Sequence, residues 1–357
     1  MESQPFFSIV VPVYNVEKYL ASALGDLRSQ TFLDWEAIIV DDASPDGSRN
    51  IAQSFVDLDP RFRIVSHDTN RGLSAARNTG IDEAKGKYIW FPDPDDRYSC
   101  LLLETVANTI QEQGSSVVLV GHTENYFDHR GKIYKKRNFQ VHGGSFDKQS
   151  LRKLVLCLEL NTQYGYAWNK IYSATYIKKN NLMFESNLPL IEDIIFNIQA
   201  FQNLSRLSIV EDSLYFYSKR EKGNLTNKYV PNYYQLHRQR IKLLRNQLSS
   251  WNLLSNEAKG VLGVLFARYI LSALERNCSY QCNFSHHDRL KWCNQVTAEP
   301  LFDELVMKAQ SDSKVVCLCI KILQTKNAHW WVSLGRILYL FKKGAFHRIF
   351  LSLKAKR

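Results

Sequence analysis

The stretch KYIWFPDPDDR, Lys87 to Arg97, sets a short apolar run directly before three carboxylates in four positions, Asp93, Asp95 and Asp96. It reads as a buried strand that delivers an acidic loop. Like charges at such spacing repel unless a cation sits among them. Pro94 fixes its own backbone and biases Asp93 toward an extended conformation, which stiffens the loop. Carboxylate oxygens in this setting suit Mg2+ or Mn2+, which take one or two protein carboxylates and complete their shell with substrate phosphates. A lone aspartate here would more simply cap the helix beginning at CLLLETV. Three acids after a strand ask for more than a cap.

Working outward, the preceding residues alternate short β-branched runs with helical stretches, the pattern of βαβ units on a parallel sheet. FSIVVPVY is a buried strand, and VEKYLASALGDLRSQ puts Tyr19, Leu20, Ala23, Leu24 and Leu27 at helical spacing. WEAIIVDD is a second strand ending in acids, and SPDGS, with Ser44, Pro45 and Asp46, opens the next helix. RFRIVSH is a third strand, and LSAARNTGIDEAKG a helix closed by Gly86. Ligands bind open α/β sheets outside the carboxyl ends of the strands. VPVYN, VDDAS and FPDPDD all lie at such ends, so three separated motifs converge on one crevice.

From about residue 115 the pattern turns to strands and loops, then to the aromatic segment YGYAWNKIY and the helix IEDIIFNIQAF. Beyond about residue 226 only helical patterns remain, which places a domain boundary near KGNLTNKYVPN. The expected division is an α/β domain over residues 1–225 and a basic helical domain over 226–357. Charge follows that division: residues 1–225 carry 25 Lys and Arg against 28 Asp and Glu, whereas residues 226–357 carry 21 against 7. A basic terminal module suits an anionic lipid surface or nucleic acid, or is simply a solvated helical face.

Five segments together, FSIVVPVYNVEKYL, IIVDDASPDGS, NRGLSAARNTGI, KYIWFPDPDD and EDIIF, occur in the order and at roughly the spacing of the family 2 glycosyltransferases. The chain resembles that family over about residues 6–220. The resemblance implies a GT-A fold, Rossmann-like with a mostly parallel central sheet. It also implies a nucleotide-diphosphate sugar donor, Mn2+ or Mg2+ on its diphosphate, and a carboxylate that deprotonates an acceptor hydroxyl with inversion. Carried onto this sequence, Pro12, Tyr14 and Asn15 line the nucleoside pocket. Asp42 accepts a hydrogen bond from the base, with Asp41 the less certain of the pair, and Arg77 meets the nucleotide or its phosphates. Asp93, Asp95 and Asp96 resemble the DxD element, with Asp95 or Asp96 on the metal and another acid on the ribose. EDIIF implies Asp193 as the base, with Glu192 binding or orienting the acceptor; as first-turn acids both also simply favour a helix start. Trp168 and Lys170 stand in a WNK stretch as acceptor or phosphate ligands, or else as a core tryptophan and a solvated lysine. Ala43 departs from the family, standing where glycine is frequent in DDGS.

The implied acceptor is a glycan or lipid-linked oligosaccharide of cell-surface polysaccharide. Two other readings compete. A nucleotidyltransferase shares a metal and nucleotide crevice but has no use for EDIIF on a separate helix. A nucleic-acid-binding protein would act through the basic tail, although no nucleic acid partner is expected from the motifs.

Composition, 45% hydrophobic and 23% charged, fits a folded globular protein rather than a fibre or a disordered tail. Seven cysteines form no even framework and suit a reducing compartment. The cluster Cys278, Cys282, His286, His287 and Cys293 matches no usual zinc spacing. MESQPFFSIVVPVYN reads as a strand rather than a signal peptide, and no run reaches the roughly 20 apolar residues of a spanning helix. From Trp330, the residues Leu334, Ile337, Leu338, Phe341, Ala345 and Ile349 share a helical face beside a stripe of Arg336, Lys343, His347 and Lys354, which suits a peripheral contact with an anionic membrane or another subunit. The expected location is cytoplasmic, on the cytoplasmic face of the inner membrane if that helix is an anchor.

Overall fold

The computed structural model describes residues 4–186, 188–220 and 229–343, without the side chains of Lys342 and Lys343. The chain divides into two compact units, Met1–Asn227 and Lys228–Arg357.

The first unit is built on a 10-stranded sheet in the order β3-β2-β1-β4-β9-β6-β10-β5, with β7 on β6 and β8 on β10. Strands β1 (Phe7–Val13), β2 (Trp35–Asp41), β3 (Phe62–Ser66) and β4 (Tyr88–Trp90) are mutually parallel, in register Val13↔Asp41 and Ile9↔Trp90. Their near-continuous Val, Ile and Phe runs are what burial on both faces demands. Between them run α1 (Glu17–Arg28), α2 (Ser48–Leu58) and α3 (Leu73–Glu83). On α1, Leu20, Ala23, Leu24 and Leu27 are buried, whereas Tyr19 stays at the rim. Asp46 serves two helix starts at once: its oxygens accept from the N–H of Glu17 at 2.9 Å and of Ser48 at 3.1 Å.

The sheet is mixed rather than parallel throughout. The short β5 (Arg97–Tyr98) and α4 (Leu102–Gln113) follow β4; then β6 (Val117–Phe127) and β7 (Ile133–Phe139) form an antiparallel hairpin. After β8 (Gly144–Asp147) and α5 (Lys148–Leu160), the strand β9 (Lys170–Ser173) inserts antiparallel between β4 and β6. Helices α6 (Ala174–Lys179) and α7 (Glu192–Gln202) lead to β10 (Arg206–Arg220), parallel to β6. An antiparallel β9 brings its amino end to the same sheet edge as the carboxyl ends of β1, β2, β4, β6 and β10. Helix α3 ends at Glu83, with Ala84 extended, so Gly86 is not its cap. Gly86 is instead a close approach: a Cβ there would stand 2.4 Å from the Ser8 nitrogen.

The second unit is helical throughout its described residues: α8 (Tyr233–Ser250), α9 (Asn256–Asn277), α10 (His286–Thr297), α11 (Pro300–Leu305), a 3-10 turn (Val306–Lys308), α12 (Lys314–Gln324) and α13 (Ala328–Lys343). The buried stripe of α13 is Trp331, Val332, Leu334 and Gly335. Gly335 lets α13 approach α9, since a Cβ would lie 2.9 Å from the Leu274 carbonyl oxygen. Ile337 and Phe341 therefore do not share a buried face with Leu334; they are exposed. Ala345, His347, Ile349 and Lys354 lie outside the described residues. No helix among the described residues is long and apolar enough to cross a membrane.

Candidate active site

At the first two strand ends the motifs meet directly. Asp42 N–H donates to the Val13 carbonyl at 2.9 Å, so VPVYN and VDDAS are joined by backbone. Pro12 is buried within β1, whereas Tyr14 is 48% exposed and Asn15 turns the chain at φ 56°. Ala43 also adopts a left-handed φ, 57°, which is the reason glycine suits this position.

The two acids differ in their partners. Asp42 Oδ1 takes the His67 Nδ1 contact at 2.6 Å and the Arg71 N–H at 2.8 Å, and Oδ2 accepts the Gly72 N–H at 2.8 Å. His67 Nε2 is 2.9 Å from Thr79 Oγ1 on α3. Asp42 thereby pins the start of α3. Asp41 accepts the Ser44 N–H at 3.1 Å and meets Arg49 only at 3.5 Å, with the arginine side chain 62% exposed. Asp41 thus has the weaker set of partners, although both residues are only 2% exposed.

The acidic loop divides the same way. Asp96 is buried, accepting the Tyr215 hydroxyl at 2.7 Å and the Ser218 N–H at 2.6 Å. Burial, with the charges of Asp95 and Asp93, holds its carboxyl well above the usual range. Asp95 is the open one, its side chain 35% exposed, paired with Arg220 at 3.0 Å; burial raises it too. Asp93 is fixed through its backbone by two tyrosines, Tyr215 OH accepting its N–H at 3.1 Å and Tyr98 OH donating to its carbonyl at 2.6 Å. None of the three caps α4, whose start has no side-chain cap.

Arg77 gathers the remaining acids. It is 1% exposed, with Nη1 2.5 Å from Asp193 and 3.8 Å from Glu192, and Nη2 3.0 Å from Asp93. It is neither a surface ion pair nor a side chain turned to solvent. Burial opposes its charge, and Asp193, Asp93 and Glu192 more than offset that, raising its pKa. Burial and the Asp193 charge push Glu192 up to about 7. Burial likewise lifts Asp93 to about 7, against the pull of Arg77 and with the push of Asp193 and Asp95. Asp93 and Asp193, far apart in sequence, are thus held by one guanidinium. Before α7, Ile191 sits at φ 68°, strained for a β-branched residue, and aims the two acids inward. Asp193 Oδ2 also accepts the Ala167 N–H at 3.1 Å, and Asn197, one turn on, donates to the Asp193 carbonyl at 2.8 Å.

Trp168 and Lys170 are not presented as acceptor ligands. Trp168 is buried and stacked, its ring 4.2 Å from Tyr215 and 4.5 Å from Tyr166. Lys170 is buried rather than solvated or near a phosphate, with Nζ donating to the carbonyls of Gln163 (2.7 Å), Tyr164 (3.0 Å) and Tyr166 (2.6 Å) and to Asn169 Oδ1 (2.9 Å). Burial pushes its pKa down to about 7. It braces the loop whose Ala167 N–H meets Asp193. Arg220, His67, Tyr215 and Asn197 went unnoticed in the sequence; only Asn197, one helical turn from Asp193, carried a local signal.

Among the described residues no three His, Cys, Asp or Glu side chains form an all-protein metal cage. A magnesium-type ion needs no such cage. One half-exposed carboxylate, Asp95, beside acids that raise one another's pKa, fits an ion that brings phosphate ligands with it.

The family profile described as Glycosyl transferase family 2 matches residues 8–179. The chain is 31% identical to the uncharacterized glycosyltransferase EpsJ of Bacillus subtilis over 227 residues, 64% of this chain and 65% of that one. It is 31% identical to glycosyltransferase GlyG of Streptococcus pneumoniae over 60% of this chain and 70% of that one. Against the poly(ribitol-phosphate) beta-N-acetylglucosaminyltransferase TarS of Staphylococcus aureus, 26% identity covers 81% of this chain and 48% of that one. The chain thus spans about two thirds of EpsJ and about half of TarS. The crystal structure of TarS 1-349 in complex with UDP-GlcNAc superposes with a TM-score of 0.62 at 20% identity, over 93% of this chain and 91% of that one. The mannosyltransferase PcManGT from Pyrobaculum calidifontis, in complex with GDP-Man and Mn2+, gives 0.51 at 13% identity over 91% of this chain and 88% of that one. With the profile lying on the strand-end motifs and one relative matched over 70% of its length at 31% identity, the chain belongs to glycosyl transferase family 2, in a GT-A fold.

Proposed function

We propose that this enzyme moves one sugar from a nucleoside-diphosphate sugar, a UDP-sugar, to a hydroxyl of a glycan or lipid-linked acceptor in cell-surface polysaccharide synthesis. The observation that carries the reading is the Arg77 link between the acidic loop and α7. It holds a donor-side acid, Asp93, and the acids of α7 in one pocket at the sheet edge where nucleotides bind. Tyr14 and Asn15 flank the base, Asp41 accepts from it, and Asp95 would hold Mn2+ or Mg2+. That ion, when bound, neutralises charge on the departing nucleoside diphosphate without proton transfer.

Asp193 acts as the general base. Arg77 and the Ala167 N–H each take one of its oxygens, leaving lone pairs for an acceptor hydroxyl. Arg77 also balances its charge, so the carboxylate is held in place before the acceptor arrives. Glu192, lifted toward neutrality, orients the acceptor. One displacement with one base inverts the anomeric carbon. Nucleotidyl transfer would leave Glu192 and Asp193 without work.

The second unit supports a cytoplasmic enzyme resting on the inner membrane. Trp330, Ile337 and Leu340 on α13 and Leu318 on α12 are exposed, and from residue 313 onward there are ten Lys and Arg and no acid.

The test is a panel of nucleotide sugars with manganese, read by thermal shift and by release of nucleoside diphosphate. A donor at one hundred times its Kd stabilises by about 2.7 kcal/mol. Asp193→Asn should keep that shift and lose transfer by about 10^2–10^4-fold. An active Asp193→Asn, or no shift with any donor, refutes the assignment.

A further inference from the structure

The catalytic edge continues past Asp193. β6 and β10 run parallel to the end, in register Tyr217↔Glu124, Lys219↔Tyr126 and Arg220↔Phe127, and β7 folds back beside them. Contacts are continuous from the base outward. Ala167 N–H meets Asp193 at 3.1 Å; the neighbouring Tyr166 ring is 5.8 Å from Tyr217. Lys219 Nζ lies 5.5 Å from the Tyr217 ring and 5.5 Å from the Tyr126 ring, with Lys135 Nζ 5.3 Å from the latter. Buried Glu124 fixes this cluster, pairing with Lys219 at 2.6 Å and accepting the Tyr126 hydroxyl at 2.5 Å. At the other end of the strip Arg220 meets Asp95.

The hairpin is basic in an otherwise acidic unit. From Tyr126 to Asn138 it carries Arg130, Lys132, Lys135, Lys136 and Arg137 against Asp128 alone. Lys135 and Lys136 are exposed, and neither has an ion-pair partner among the described residues. Ring faces suit sugars and polyols, and ammonium groups between them suit an anion. Nothing in the transfer chemistry uses these cations.

We propose that this strip is the acceptor track and that the acceptor is a phosphate-bearing glycan. Tyr166 and Tyr217 hold the sugar or polyol beside Asp193, and Lys219 and Lys135, which share the face of Tyr126, read the phosphate, whereas Lys136 pairs in register with Asn125 and faces the other side of the sheet. The proposal rests on the glycosyl-transfer reading and names its second substrate. The phosphate belongs either to a phosphodiester backbone or to the diphosphate of a lipid-linked glycan.

The test uses the full chain with a soluble poly(glycerol phosphate) oligomer, an undecaprenyl-diphosphate-linked disaccharide in micelles, a neutral glycan of matched length, and an oligo-dT of matched charge. Binding is read by fluorescence and transfer by nucleoside diphosphate release. One or both phosphate-bearing probes should bind and accept sugar, and whichever does so identifies the source. Their KM should rise with added salt. K135E should raise that KM about tenfold, flatten its salt dependence and leave kcat nearly constant, whereas K136E, on the opposite face of the hairpin, should change KM far less. Both side chains are exposed, so the melting temperature checks that each variant folds. Equal KM for the neutral glycan, or a K135E KM matching wild type, overturns the proposal while transfer stands. Oligo-dT binding as tightly, with the same salt slope, also overturns it. Salt-sensitive binding of the phosphate probes without any transfer supports the strip and sinks the transfer reading instead.

Discussion

Asp42→Asn tests the assignment of the two strand-end acids. Asp42 accepts three contacts, from His67 at 2.6 Å and from the Arg71 and Gly72 N–H groups at 2.8 Å each. Hydrogen bonds to a charged acceptor contribute about 1.5–3 kcal/mol apiece. Asparagine keeps its carbonyl for His67 and Arg71 at about 1 kcal/mol each, but turns an NH2 donor toward the Gly72 N–H. The net loss is about 3–5 kcal/mol, which for a unit of this size lowers Tm by on the order of 10 °C. Asp41→Asn disturbs one 3.1 Å bond and a 3.5 Å contact to an exposed arginine, so it costs about 1 kcal/mol. Circular dichroism melts with nucleoside diphosphate titrations give the comparison. Asp42→Asn should melt early yet bind nucleotide well below its Tm; Asp41→Asn should melt normally and bind about tenfold more weakly. An Asp42→Asn protein with wild-type Tm and no nucleotide affinity would refute the reasoning and restore Asp42 as the base contact.

Asp95→Asn should abolish the manganese dependence of the donor-induced thermal shift with little change in Tm, while Asp96→Asn should lower Tm, because Asp96 is buried on Tyr215 and Ser218; the reverse pattern would exchange their roles. Ala43→Gly removes a left-handed alanine and should stabilise by about 0.5–1 kcal/mol after the entropy of the unfolded glycine is counted, read as a small rise in urea midpoint. Burial pushes His122 down to about 3, so the folded form stays neutral while the unfolded form protonates below its ordinary value; stability present at neutral pH is lost on acidification. By pH 5 the loss from this group is about 2 kcal/mol, and His122→Leu should shrink the difference between urea melts at pH 7.5 and 5 by that amount; an unchanged difference would count against it.

The strand-and-helix order of the first hundred residues was legible because β-branched runs and apolar residues at helical spacing announce themselves locally. Helix α5 was missed although Asp147 caps it through the Ser150 N–H at 2.8 Å, a signal present in DKQS. β9 was hidden for a different reason: an antiparallel insertion in a parallel sheet is decided by distant partners, and Lys170, Ile171 and Tyr172 read only as part of an aromatic segment. The motifs placed these acids at one sheet edge but could not sort them by their partners. Asp41 and Asp42, or Asp95 and Asp96, differ only in which is sealed by His67, Tyr215 or Ser218, and those partners lie 25 to 122 positions away. Lys170 was misread because a lysine is seldom buried, and three carbonyls folding onto its ammonium leave no sequence trace.

Arg77 sets a limit on how this catalyst can be rebuilt. Grafting the segment around Asp93 from a relative to change donor preference, or the segment around Asp193 to change acceptor, would each leave the guanidinium facing one native and one foreign acid. Separate exchange of the two specificities therefore carries a shared cost, and a chimera has to move α3, the acidic loop and the start of α7 as one block.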